Sequence, residues 1–174
     1  MSQLLDLLEQ ASQGVSQPLG FARKPEARVS PMLMLGCTTM GDSAGVKKIV
    51  DAGAHALVFT VSIHGKSSES KSMLKGLKGT PWGVWVRELD PLPADGSDFE
   101  VFSSEHTGIG PFQDEKRTIG MEVRPETEDA FLRTIEDLPV DFFIASLTDV
   151  SSLDIGQLIR LARVRSFTSK YFLV

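Results

Sequence analysis

"DAGAHALVFT", residues 51–60, decides how the rest of the chain is read. Its first half closes a helical pattern at Gly53, and its second half is an apolar run that ends on Thr60. The preceding "SAGVKKIVDAGA" puts Val46, Ile49 and Val50 on one helical face. Asp42 or Ser43 can cap the first amides of that helix, and Gly53 suits the left-handed turn at its end. Continuous apolarity without alternation is what a strand buried on both faces requires. A helix turning straight into such a strand is the αβ joint of a parallel sheet.

The same form returns along the chain without a repeat in letters. Ahead of the joint lies "MLMLGCTT" (32–39), a short apolar run ending in small polar residues. After it come "SSESKSMLKGLKG" and "PWGVWVREL", then "RTIGMEVRP", "ETEDAFLRTIEDLP" and "VDFFIASLTD", and finally "SSLDIGQLIRLARVR" and "KYFLV". Phe131, Leu132 and Ile135 form the expected buried face of a helix that Pro139 stops. Apolar runs near 32–36, 56–61, 82–87, 99–102, 117–123, 141–146 and 171–174 make about seven strands. "DPLPADGS" (90–97) leaves little room for a helix between two of them. Upstream, Leu4, Leu5, Leu7 and Leu8 describe a short leading helix that Gly14 ends, and the proline-bearing "PLGFARKPEARVS" is a charged connector. The expected organisation is therefore a helix and connector over 1–30 and a (β/α) domain over 31–174.

Bulk properties exclude several classes. A net charge of −5 and a pI near 5.2 argue against a nucleic-acid or anionic-membrane surface, which needs clustered Lys and Arg. No apolar run approaches the roughly 18 residues of a membrane span. The single cysteine, Cys37, cannot form an internal disulfide, and the N-terminus lacks the basic leader and long apolar core of a secretory signal. A cytoplasmic protein is expected.

"DAGAHALVF" resembles the helix-to-strand joints of TIM-type (β/α)₈ barrels, and "VDFFIASLTD" is similar to another strand of that kind. The resemblance covers roughly residues 31–174 and rests on generic motifs. It implies an α/β, parallel barrel-like fold of about seven strands, an incomplete TIM barrel. The alternative is an open doubly wound parallel sheet. The barrel is preferred because no strand carries a Gly-rich nucleotide turn and strands recur at a spacing of roughly 20–25 residues. A full barrel has eight strands in about 250 residues, whereas this pattern reaches its seventh strand at "KYFLV". The apolar edge left there is expected to be covered by a second copy, in a homodimer, or by the remainder of a longer barrel. Because the phosphate site common in such barrels lies after strands seven and eight, the resemblance implies none here.

In such a fold, function gathers where strands end. Those positions hold Thr38, Ser62, Arg87, Ser103, Glu105, His106 and Ser146, the expected substrate-binding groups, with Glu88, Glu122 and Arg124 as the catalytic candidates. Glu122 and Arg124 fall on one side of "IGMEVRP" by alternation, so a carboxylate and a guanidinium can orient a carboxyl or carbonyl substrate, with Glu122 as base or metal ligand. A structural salt bridge is the plainer reading. "SSEHTGIGPF" (103–112) is the most unusual loop, but its "GIGPFQ" lacks the third glycine and the following helix of a dinucleotide fingerprint. His64, Glu105, His106 and Glu122 are metal-ligand types whose spacing enforces no shared coordination, so no metal is expected, and no cofactor is assigned. Cys37 reads as a buried structural thiol, His55 as structural, and Trp82 and Trp85 as core. Two functions fit. One is a lyase- or aldolase-type enzyme using acid–base chemistry on a small anionic metabolite. The other is a non-catalytic module on a partial barrel that binds a ligand or a subunit.

Overall fold

The computed structural model describes residues 2–13, 33–60, 77, 79–86, 96–103, 112, 117–147 and 154–174. Seven strands are β1 (Leu35–Thr39), β2 (Ala56–Thr60), β3 (Trp82–Val86), β4 (Phe99–Ser103), β5 (Thr118–Val123), β6 (Phe142–Ala145) and β7 (Tyr171–Leu173). Four helices among the described residues are α1 (Gln3–Gln13), α2 (Ser43–Asp51), α3 (Asp129–Glu136) and α4 (Ile155–Ser166). The strands follow one another in the sheet in chain order, β1 to β7. The pairs β1–β2, β4–β5, β5–β6 and β6–β7 are parallel. A doubly wound sheet reverses its order at a switch point; this one never does. The described residues therefore form an α/β fold with a seven-stranded, barrel-like parallel sheet, and the open doubly wound alternative is excluded.

Two compact units divide the chain, Met1–Gly83 and Val84–Val174. In the first, α2 lies on β1 and β2. Asp42 caps it by accepting the Gly45 N–H at 2.8 Å, and Gly53 takes φ +88° at its end, as the local pattern requires. Leu57 and Phe59 of β2 pack with Val46 and Leu77, and Trp82 meets the Phe59 ring edge-on at 6.0 Å. Gly36 permits the approach of α2, since a Cβ there would lie 2.0 Å from the Ile49 side chain. Val50, expected on the buried face, is instead 41 % exposed, because α2 buries the Val46 side and turns Val50 outward. In α1, Leu4 and Leu8 are fully buried while Leu5 and Leu7 are partly so. The first strand begins at Leu35, not near residue 32, because its ladder is set by pairing Leu35–Thr39 with Ala56–Thr60. His55 has the structural role expected: its Nδ1 accepts the Met34 N–H at 3.2 Å at the start of that ladder.

In the second unit, strand alternation separates two faces. Phe102, Ile119, Met121, Val123 and Phe143 point toward the helices and bury Leu132 and Ile135 of α3 and Val164 of α4. The opposite face carries Phe99 and Val101, then Thr118 and Gly120, then Phe142 and Ile144, nearly all buried as well. Phe99 and Phe142, from strands on either side of β5, meet edge-on at 6.0 Å. Gly120 lies between them; a Cβ there would come within 2.2 Å of the Phe142 ring. Asp141 sets the start of β6, its carboxylate accepting the Ile119 N–H at 2.7 Å while its own N–H donates to the Ile119 carbonyl at 2.8 Å. The helix expected over 67–79 lies largely outside the described residues.

Candidate functional site

Glu122 belongs to the face of β5 that looks away from the helices, flanked in sequence by the buried Met121 and Val123. Its register partner on β4 is Ser103, so the two side chains leave adjacent strands on the same side at the C-terminal end of the sheet. Both are half-buried. Beyond Val123 the chain turns through Arg124, Pro125, Glu126 and Thr127, closed by the Thr127 N–H donating to the Arg124 carbonyl at 3.0 Å. Proline at the second position presets such a turn. Glu128 then precedes the first residue of α3.

A cavity of about 480 Å³ opens at this point. Ser103 reaches it from β4, Glu122 and Val123 from β5, Arg124, Glu126 and Thr127 from the turn, and Glu128 and Phe131 from the start of α3. Phe131 was expected in the core; it is 43 % exposed, and Leu132 and Ile135 alone carry the buried side of α3. Its ring is an apolar wall of the cavity instead. The polar lining sets three carboxylates against one guanidinium. Such a wall suits a ligand with a single acidic group for Arg124 and hydroxyl or cationic groups elsewhere, rather than a polyanion.

The turn is held from behind by α4. Arg163 donates to the Pro125 carbonyl at 2.9 Å and the Thr127 carbonyl at 2.7 Å, and pairs with Asp129. Arg160 adds a looser pair with Glu126 at 3.4 Å, both side chains exposed. The planar guanidinium of Arg163 thus fixes two carbonyls of the segment that presents Arg124 and Glu126, a task its rigid fork suits. Arg163 is a positioning residue for the cavity.

Other expected site residues fall elsewhere. Ser146 follows β6 but does not line the cavity. Thr38 lies inside β1, not in the loop after it, and shares the face of Gly36 toward α2, with its hydroxyl 3.4 Å from the Asp42 carboxylate. Cys37, expected to be buried, is exposed, since alternation from Gly36 turns it away from α2. Ser62, His64, Arg87, Glu88, Glu105 and His106 lie outside the described residues. Among the described residues no three His, Cys, Asp or Glu groups gather as a metal site. Glu126, Thr127 and Glu128 were not singled out from the sequence, and Phe131 only as a core residue; the acidic "ETED" after a strand end was the available signal, and it read as a helix start.

No protein-family model matches the chain, and no curated protein matches it in sequence. Among the described residues no helix is long and apolar enough to cross a membrane.

Proposed function

We propose that this barrel-like protein binds a small hydroxy- or oxo-acid in the cavity at the ends of β4 and β5 and acts on it as a lyase of the aldolase type. One observation carries the reading: Ser103 and Glu122 from neighbouring strands, with Arg124 from the following turn, line one cavity. Strand C-terminal ends are where enzymes of this architecture place their chemistry, which supports the reading by analogy of position. In the proposed step, the Arg124 guanidinium pairs with the acid group of the substrate. Glu122 accepts the proton of a β-hydroxyl as the adjacent carbon–carbon bond breaks. The bond's electron pair becomes the enolate of the acid-bearing fragment, which Arg124 faces, and Glu122 returns the proton to that carbon.

The test is a screen of small hydroxy- and oxo-carboxylic acids by calorimetry, followed by cleavage assays on those that bind. Removing a charged hydrogen-bond partner costs about 1.5–3 kcal/mol, so Arg124→Ala is expected to weaken the acid roughly ten- to hundredfold. Glu122→Gln is expected to retain binding and lose turnover. Equal affinity of wild type and Arg124→Ala for every acid bound would remove the reading, and binding without any cleavage would leave a non-catalytic ligand module.

A further inference from the structure

Phe131 stands apart from the other described phenylalanines. It lies in the first turn of α3 and is 43 % exposed, while Leu132 and Ile135 of the same helix are buried. Phe59, Phe99, Phe102, Phe112 and Phe142 each meet another ring edge-on. Phe143 and Phe167 each face a cation, and Phe172 packs against the cluster around Met121. Among the described residues Phe131 does none of these. A large apolar side chain left out of the core is informative where it borders a concave site. Phe131 borders the cavity at the strand ends.

That cavity has two sides. Glu122 and Val123 are successive residues of β5, so their side chains leave opposite faces of the sheet. Val123 packs with Leu132 and Ile135 on the helix side, whereas Glu122 and Ser103 share the other face. A cavity bordered by both faces passes over the end of β5, beside the turn that carries Arg124. The groups proposed to hold and cleave an acid lie toward one side, and the apolar Val123 and Phe131 toward the other. A volume of about 480 Å³ falls among the pockets of roughly 300–1,000 Å³ that enclose drug-sized molecules. An acid the size of lactate fills only a small part of it.

We propose that the acid carries an aromatic ring, which lies against Phe131 while its carboxylate pairs with Arg124. The inference rests on the acid-binding reading above and names the class of substrate. Charge narrows the choice of tail. Glu126 and Glu128 line the cavity on the Phe131 side of the turn, so a second carboxylate there meets like charge and a dicarboxylic acid is disfavoured. An aromatic ring suits them better than a saturated chain. Its hydrogen-bearing edge is positive and faces a carboxylate, while the ring packs offset or edge-on against Phe131. A cationic tail is less well served. Arg160 already pairs with Glu126, and the first amides of α3, which Glu128 does not cap, place partial positive charge on that side.

Calorimetric titration of the full chain tests this with lactate, phenyllactate and the hydroxy-acid analogue of lysine. The three share one α-hydroxy acid group and differ in the tail. Phenyllactate is expected to bind roughly tenfold more tightly than lactate. Phe131→Ala is expected to remove that advantage and leave lactate unchanged, and Phe131→Tyr, which keeps the ring, to retain it. The exposed position of Phe131 lets both variants fold, which an unchanged far-ultraviolet circular dichroism spectrum checks. Arg124→Ala is expected to weaken lactate and phenyllactate by the same factor. Phenyllactate that binds no more tightly than lactate, or an advantage that survives Phe131→Ala, would overturn the ring subsite. The acid reading would then stand as long as Arg124→Ala weakens both ligands. Tightest binding of the lysine analogue would give the subsite to a cation and overturn the aromatic assignment. Affinities that Arg124→Ala leaves unchanged would overturn the acid reading and this inference with it.

Discussion

Gly120 shows how much can rest on a missing side chain. Phe99 and Phe142 reach over it from the strands on either side, and the edge-on contact they make requires that nothing project between them. Alanine fits the extended backbone, so its cost is steric: the Phe142 ring must leave its position in a fully buried site. Overpacking of this kind costs about 1–3 kcal/mol. Gly120→Ala is therefore expected to lower the unfolding free energy by that amount, read as a lower urea midpoint at an unchanged m-value, and an unchanged midpoint would show that Phe142 rotates away freely. Nothing in "TIGMEV" marks this glycine as different from one that merely weakens a strand. By contrast, the cap at Asp42 and the turn at Gly53 were legible, because each depends only on residues within one helical turn.

Elements in the second unit are joined by side chains from their ends. Glu136, in the last turn of α3, accepts the Ser169 N–H at 2.9 Å and the Ser169 hydroxyl at 2.6 Å, which ties α3 to the turn leading into β7. Burial by itself would raise the Glu136 pKa, but the Ser169 bonds, Thr168 and the nearby Lys170 outweigh it and hold the group below its ordinary 4.5. A carboxylate depressed by folding contributes stability above its unfolded pKa and loses it as pH falls through the folded one. Wild type is thus expected to be more stable than Glu136→Gln at neutral pH, with the difference fading below about pH 4.5. A gap between the two that stays constant down to pH 3 would show that the hydrogen bonds do not depend on the charge. The helices themselves were readable as elements. Which of their sides were buried was read correctly for Leu132 and Ile135 and wrongly for Phe131 and Val50, which lie where apolar spacing also allows an outward position.

At the scale of the molecule, strand order matters most. The alternation of helices and strands, the turn at Gly53 and the continuous apolarity of the strands came from the sequence by itself, since periodicity and caps are written within a few neighbouring residues. Spacing and the lack of a Gly-rich turn favoured the barrel over the doubly wound sheet, but only the ladder, running from β1 to β7 without reversal, decided it. The same holds for the cavity. Glu122 and Arg124 were legible as a pair on one strand, whereas their meeting with Ser103 depends on register between strands, and the part of Glu126, Glu128 and Phe131 depends on where the first turn of α3 packs. Register and packing are set by contacts between residues far apart in the chain, and no local pattern carries them.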